Sequence, residues 1–260
     1  MSIAHFPGYI LATIRLFLLI LSLTLFVGVG LILKATNLGD QFTAFRIRKI
    51  WCNWAAWLLG LKVYATGVLN QAEGNLYVSN HRSLIDAVIV FSFIQNGWAV
   101  SKAEVEKYPI ISAGAKLSGV VFVDRENNLS RFETRQKIFE LLDQKQSVII
   151  YPEGTVSIAR GTLPFRKGSF EAAEKTNAPI VPIAIEYMDP DRDFWWHAHI
   201  MHQYFVTFSK LRTVVKIHFF DPVSTSVEKN DCSEIQLLIT EKMREFQKEW
   251  KSESYSKLFG

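Results

Sequence analysis

The chain has 260 residues, 49% of them apolar, and a formal net charge of +4. This length accommodates one large α/β domain or two small ones. The first 62 residues hold six Lys or Arg residues against a single acidic residue, Asp40. That segment accounts for the positive excess, and no nucleic-acid-binding motif or basic helix follows it, so the charge predicts an anionic membrane surface as a partner and excludes nucleic acid.

An apolar helix is predicted near the start of the chain. From Leu16 to Leu33 there are 18 residues without a charge, bracketed by Arg15 and Lys34. That length is at the low end for a bilayer-spanning helix. The run is long for a signal peptide and no small-x-small cleavage site follows it, so we expect a retained membrane helix over about residues 10–34.

A second, amphipathic helix is predicted over about residues 42–61. Tryptophans recur at helical spacing and basic residues fill the first turns: Trp51, Trp54, Trp57, Arg46, Arg48 and Lys49. Such a helix suits the headgroup layer of a membrane, although a helix packed on an ordinary core has a similar pattern. Residues 1–65 are therefore interpreted as membrane-associated helices and residues 66–260 as a separate domain.

Apolar strands and amphipathic helices alternate in the second region. The predicted strands are Leu76–Ser79, Trp98–Ser101, Val120–Val123, Val148–Tyr151, Ile180–Ile185 and Val214–Phe220. Helical patterns cover Arg131–Gln144 and Ser233–Trp250. This alternation predicts an α/β fold, a single domain with a mostly parallel sheet flanked by helices. The positive charge after the apolar helix predicts that this domain is cytoplasmic, and Cys52 and Cys232 are not expected to form a disulfide.

Candidate chemistry lies where the predicted strands end. His81 follows the first strand, and Asp86 follows His81 after four residues. A carboxylate facing an imidazole fixes its tautomer and stabilises the imidazolium, as a general base requires. A buried histidine at a corner is the structural alternative. Arg125 follows the predicted strand Val120–Val123 by two residues. Its planar guanidinium can grip a phosphate or carboxylate.

The turn after the strand Val148–Tyr151 reads Pro152-Glu153-Gly154-Thr155-Val156-Ser157. Such a turn exposes backbone N–H groups and hydroxyls that bind anions or polarise a carbonyl, although a solvated turn is common. Two further cations, Arg166 and Lys167, precede a predicted helix start.

These blocks together, followed by Val181-Pro182-Ile183, resemble the glycerolipid acyltransferase superfamily, in particular the 1-acyl-sn-glycerol-3-phosphate acyltransferases. The resemblance covers about residues 75–187. It implies that His81 is the base that deprotonates the acceptor hydroxyl and that Asp86 orients it. It further implies that Arg125 holds the acceptor's phosphate, that Glu153, Gly154 and Thr155 complete acceptor binding, and that Lys102 contacts an anion.

The resemblance also implies the co-substrates. The acyl donor would be an acyl-CoA or an acyl-acyl-carrier protein, the acceptor a lysolipid, and no metal or other cofactor would be needed. The implied location is a membrane, the cytoplasmic side of a bacterial inner membrane. Three histidines in Trp195–His202 invite a zinc interpretation, but no fourth ligand or known spacing supports it.

Val156 departs from the family pattern, in which an arginine often occupies this position. Arg160, Arg166 or Lys167 are candidates to replace that phosphate ligand. An acceptor of another kind, such as a lyso-amino-acid lipid of the lyso-ornithine type, is the main alternative. A non-catalytic lipid-binding protein on the same fold is a third.

Overall fold

Helices and strands alternate along most of the chain in a computed structural model that describes residues 6–196, 199–225 and 231–250. The helices are α1 Phe6–Ala35, α2 Gln41–Leu58, α3 Asp86–Phe93, α4 Pro109–Leu117, α5 Asn128–Asp143, α6 Gly168–Thr176, α7 Pro190–Asp193, α8 Ile200–Phe208 and α9 Asp231–Gln247. The strands are β1 Leu61–Gly67, β2 Leu76–Ser79, β3 Trp98–Lys102, β4 Val120–Val123, β5 Val148–Ile150, β6 Ile180–Tyr187 and β7 Thr213–Phe219.

The strands form one sheet in the order β1-β7-β6-β2-β5-β3-β4. All neighbouring strands are parallel except β6 and β7, which pair antiparallel. The expected α/β fold with a mostly parallel sheet is therefore confirmed. Because β6, β2, β5, β3 and β4 run in the same direction, their carboxyl ends meet at one edge, where open α/β sheets bind ligands.

Each face of the sheet has its own apolar core. On one face Tyr77 of β2 and Ile183 of β6 pack with residues of α2, α3 and α8. On the other face Val78 of β2 and Ala184 of β6 pack with residues of α5, α6 and α9. Side chains of β2 and β6 thus alternate between two buried faces, which explains why these strands are continuous apolar runs in the sequence.

Helix α1 lies along the domain. It packs on α2, α4 and α8. The Arg15 guanidinium, 6% exposed, donates to the carbonyl oxygens of Phe208, Lys210 and Leu211 at 3.0, 2.7 and 2.9 Å. The face of α1 that points away from the domain is apolar and exposed, with Ile14, Phe17 and Leu25 at helical spacing. Its segment Pro7–Ala35 is long and apolar enough to cross a membrane.

Helix α2 differs from the prediction in where it ends and in what its Arg48 contacts. It ends at Leu58 instead of residue 61, since Gly60 adopts φ +73° and β1 begins at Leu61. The Arg48 guanidinium is buried and donates to the carbonyls of Ser118 and Gln95, which close helices α4 and α3. Carbonyls at helix ends lack partners within the helix, so this arginine satisfies them instead of facing lipid headgroups.

Strand β1 was not predicted. It lies at the edge of the sheet, pairs only with β7, and leaves most of its side chains exposed. It also runs through the boundary expected between residues 65 and 66, so chain on both sides of that boundary belongs to the sheet. Both cysteines, Cys52 and Cys232, are free, as expected.

Candidate active site

The predicted site residues gather at the carboxyl edge of the sheet. His81 follows β2 by two residues, Arg125 follows β4 by two, Glu153 follows β5 by three, and Lys102 is the last residue of β3. Four strands that are separate in the sequence therefore deliver these side chains to one edge.

His81 and Asp86 are in direct contact. The His81 Nδ1 atom lies 2.8 Å from Asp86 Oδ2. Asp86 is the first residue of α3 and is fully buried, while 16% of the His81 side chain is exposed. A contact at Nδ1 assigns the ring proton to that nitrogen, which leaves Nε2 with a lone pair able to accept a proton.

The four-residue spacing is explained by a turn that closes on the carboxylate. The backbone N–H groups of Arg82 and Ser83 donate to Asp86 Oδ2 at 2.6 and 2.9 Å, and Asp86 N–H donates to the Ser83 carbonyl at 3.0 Å. One carboxylate oxygen thus receives two backbone N–H groups and the imidazole. On the other side of the imidazole, the Tyr151 ring stacks at 4.4 Å between centroids.

Glu153 faces the backbone of the His81 loop. Its Oε1 accepts from His81 N–H at 2.8 Å and its Oε2 accepts from Leu163 N–H at 2.7 Å. Burial raises the pKa of Glu153, and the two backbone donors oppose that shift. The carboxylate therefore joins the His81 loop to the 151–163 loop, and its predicted contact with the acceptor stays a prediction.

Gly154 allows a cation to lie against the same turn. Its φ is +76°, and a Cβ placed there would come within 3.0 Å of the Arg166 guanidinium carbon. A side chain at this position would be strained by the left-handed backbone and would press the Arg166 guanidinium away by a few tenths of an ångström, so glycine suits the turn. The neighbouring Thr155 is exposed.

Arg125 lies near enough to Arg166 to feel its positive charge. Arg125 is half-buried. Burial lowers the pKa of Arg125, and the positive charge of Arg166 lowers it further, whereas Glu104 raises it. Two guanidinium groups that repel each other bind an anion between or beside them more readily than one alone. Lys102 is exposed at the end of β3, on the same edge.

A buried ion pair supports the His81 loop and was missed in the sequence. The Arg82 guanidinium, 1% exposed, lies 2.9 Å from Glu186 Oε2 and also donates to the Ser157 carbonyl at 2.9 Å. Gln247 of α9 donates to the same Glu186 oxygen at 2.8 Å. The only signal in the sequence was a glutamate at the end of an apolar strand.

The histidine-rich segment remains untested as a metal site. Among residues 6–196, 199–225 and 231–250 there is no group of three or more His, Cys, Asp or Glu side chains placed to hold a metal. His197 lies outside the described residues. His199 directly precedes α8 and His202 lies in its first turn, and both are exposed. The expectation that this segment is not a zinc site therefore stays a prediction.

Comparison with protein families and curated sequences gives consistent results. The family model described as Acyltransferase matches residues 60–186. A chloroplastic 1-acyl-sn-glycerol-3-phosphate acyltransferase of Brassica napus is 36% identical over 110 residues, which cover 42% of this chain and 32% of that protein. The protein of the same name from Haemophilus influenzae is 30% identical over 130 residues, covering 48% and 54%. The chain thus spans about half, or less, of the length of the curated relatives it matches.

A solved structure matches the fold over most of its length. The crystal structure of the 1-acyl-sn-glycerophosphate acyltransferase of Thermotoga maritima superposes with a TM-score of 0.63 at 20% sequence identity. The match covers 89% of this chain and 98% of that chain.

Proposed function

We propose that this chain is an O-acyltransferase that acts on 1-acyl-sn-glycerol 3-phosphate, a proposal supported by the match of residues 60–186 to the family model described as Acyltransferase. It transfers a fatty acyl group from an acyl thioester, acyl-CoA or acyl-acyl-carrier protein, to the free hydroxyl and forms phosphatidic acid. The observation that carries the proposal is the 2.8 Å contact between His81 and Asp86 at the carboxyl edge of the sheet. The likeness to relatives that bear this name supports the acceptor.

The site accounts for the chemistry with one base. His81 Nε2 takes the proton of the acceptor hydroxyl as its oxygen attacks the thioester carbonyl carbon, and Asp86 stabilises the imidazolium. The tetrahedral intermediate then collapses, the C–S bond breaks, and the thiolate leaves with the proton from His81. A thioester is already reactive, so orientation and a base supply most of what the reaction needs.

Arg125 and Arg166 are proposed to hold the acceptor's phosphate. They lie on the same edge as His81, and their mutual repulsion is relieved when a dianion binds. Arg166 therefore supplies the cation that the family pattern places at position 156, where this chain has Val156. Lys167 is less suited to this role, because its charge acts on Cys232, at the start of α9.

The apolar side chain at Val156 favours one alternative acceptor, a lysolipid without a phosphate such as a lyso-amino-acid lipid. For such an acceptor, fewer cations are needed around the headgroup, and the base and donor chemistry are unchanged.

We propose that helix α1 lies in the plane of the membrane and does not cross it. Helix α1 is held to the domain near its start, where Tyr204 donates to the Ala12 carbonyl, and near its middle, where Trp51 donates to Ser22. A helix bound along its length cannot also place about 20 free residues across a bilayer. We propose that its exposed apolar face dips into the cytoplasmic leaflet.

Surface labelling distinguishes an in-plane helix from a spanning one. Single cysteines are placed at two exposed positions, Pro7 in the first turn of α1 and Thr36 directly after its last residue. On vesicles with the domain outside, an impermeant maleimide labels both positions if α1 lies in-plane. Labelling of one position alone, with the other reached only after detergent is added, would contradict this placement.

An acceptor panel tests the proposed reaction. The protein in vesicles is given lysophosphatidic acid or lyso-ornithine lipid, each with acyl-CoA and then with acyl-acyl-carrier protein, and lipid products are quantified. Phosphatidic acid formation supports the proposal. Acylation of lyso-ornithine lipid alone would move the acceptor to the alternative, and no product from either would contradict acyl transfer to a lysolipid.

A further inference from the structure

The carboxyl end of β6 acts as a template for the loop that carries His81. Ile185 exchanges two hydrogen bonds with the Asn80 side chain, at 2.8 and 2.9 Å. Glu186 pairs with Arg82, and the Tyr187 hydroxyl donates to Asp86 Oδ1 at 2.6 Å. Three consecutive residues of one strand thus hold three residues of the loop. Strand alternation explains how, since Glu186 and Tyr187 point to opposite faces of the sheet.

From this arrangement we infer that Tyr187 is a positioning residue of the site, which aims the Asp86 carboxylate at His81. The inference rests on the proposed acyl transfer and extends it to a residue just beyond the stretch that matches the acyltransferase family, residues 60–186.

The two oxygens of Asp86 have different partners. Oδ2 receives His81 Nδ1 and the N–H groups of Arg82 and Ser83, whereas Oδ1 receives the Tyr187 hydroxyl. A carboxylate rotates about its Cβ–Cγ bond, and the donors on Oδ2 alone leave its plane free to tilt about that atom. The bond at Oδ1 fixes the plane, and with it the direction in which Oδ2 faces the imidazole.

The environment of Tyr187 keeps it a donor. Its side chain is 1% exposed and lies in the apolar core that α2, α3 and α8 share. Burial, and then the negative charge of Asp86, raise the pKa of Tyr187 well above its ordinary value. The phenol therefore keeps its proton, and a buried hydroxyl needs an acceptor, which Asp86 supplies.

A matched pair of substitutions tests the inference. Tyr187→Phe removes one hydroxyl, and Tyr77→Phe removes another that is equally buried (1% exposed) but donates to the Asn70 carbonyl, in the segment between β1 and β2. We expect Tyr187→Phe to lower kcat about 10- to 100-fold, because hydrogen bonds to charged groups contribute on this scale. The KM of Tyr187→Phe for both substrates should stay within about 2-fold of wild type, and so should the kcat of Tyr77→Phe, since neither hydroxyl contacts substrate.

A double-mutant cycle separates positioning from general packing. If Tyr187 acts through Asp86, Tyr187→Phe in an Asp86→Ala background lowers kcat no further. An additional 10-fold fall in that background, or a Tyr187→Phe enzyme with wild-type kcat, would overturn the inference while leaving acyl transfer by the wild type intact. A wild type without transfer activity would instead count against the proposed function.

Folding is checked in the same series. If Tyr187→Phe melts far below Tyr77→Phe, site-specific fluorotyrosine at position 187 replaces it, since this residue keeps the ring and hydroxyl but donates more strongly. A stronger donor draws charge from Asp86, so kcat changes severalfold while KM does not. Unchanged kcat in the fluorotyrosine protein would contradict the inference.

Discussion

The inner and outer parts of the site are built differently. In the inner part, the protein itself holds hydrogen-bond partners at 2.7 to 2.8 Å from each functional side chain: His81 and Asp86 contact each other, and Glu153 accepts from two backbone N–H groups. In the outer part, Arg125 and Arg166 have each other as like-charged neighbours, and Arg166 is exposed. The inner groups are organised before substrate arrives, whereas the outer cations are arranged to gain a partner when an anion binds.

This contrast separates chemistry from recognition. Preorganised groups act on the transition state and therefore on kcat, while groups that meet only the acceptor's charge act mainly on KM. Substitutions in the two parts should consequently change different kinetic constants.

The largest effect on stability is expected for the buried ion pair beneath the inner part. Arg82→Leu leaves Glu186 charged and without its cation, so we expect the free energy of unfolding to fall by about 3–5 kcal/mol. Urea titration followed by circular dichroism measures it, with Arg244→Leu as the control at an exposed arginine of α9. If Arg82→Leu were no more destabilising than that control, the pair would not support the loop.

The outer cations are expected to control acceptor affinity. Arg125→Ala and Arg166→Ala should each raise KM for lysophosphatidic acid about 10- to 100-fold, because each removes a charge-assisted contact to the phosphate. Steady-state kinetics should show kcat within about 3-fold of wild type. Lys175→Ala, at an exposed lysine of α6, is the control. A fall in kcat at unchanged KM would place these arginines in the chemical step instead.

A buried carboxylate outside the site makes the stability of the fold depend on pH. Asp193 pairs with Lys210 at 2.6 Å, and burial raises the pKa of Asp193 from 3.8 to about 7. The folded protein therefore binds this proton more tightly than the unfolded chain, so this group's contribution to stability is lost as the pH rises from about 4 to about 7.

Asp193→Asn removes this titration. Between pH 4.5 and pH 7.5 the variant should gain stability relative to wild type, on the order of 3 kcal/mol, because only the wild type then carries the buried charge. Urea titrations of both proteins at the two pH values measure the difference. Parallel pH profiles for the two proteins would contradict the assignment.

The smallest effect is expected at Val156. Val156→Arg adds a third cation to the outer part. The ratio of kcat/KM for lysophosphatidic acid to kcat/KM for lyso-ornithine lipid should therefore rise about 3- to 10-fold relative to wild type. Val156→Leu controls for side-chain size. An arginine variant with the same acceptor ratio as wild type would show that position 156 does not contact the phosphate.

Local patterns in the sequence predicted the parts of the fold that depend on short stretches of chain. The apolar runs of β2 and β6 predicted strands because both faces of each are buried, and the spacing of His81 and Asp86 predicted a closed turn between them. Strand β1 was missed because an exposed edge strand has no such run. The antiparallel pairing of β6 with β7 was missed because strand direction depends on how the connecting chain is routed.

The support of the site depends on contacts between distant residues. Arg82 and Glu186 are 104 positions apart, and Asp86 and Tyr187 are 101 apart. Nothing in either local sequence distinguishes these residues from surface charges or core aromatics. The contact of Glu153 with the His81 loop could not be predicted for the same reason, because the backbone N–H that it binds is 72 positions away.

The most direct test of the account is the rate of acyl transfer by His81→Ala beside wild type, with lysophosphatidic acid and acyl-CoA both saturating. The account predicts that kcat falls by at least about 10³-fold, because no other group takes the hydroxyl proton. The melting temperature should stay close to that of wild type, since His81 is partly exposed. A folded His81→Ala enzyme with near-wild-type kcat would contradict His81 as the base.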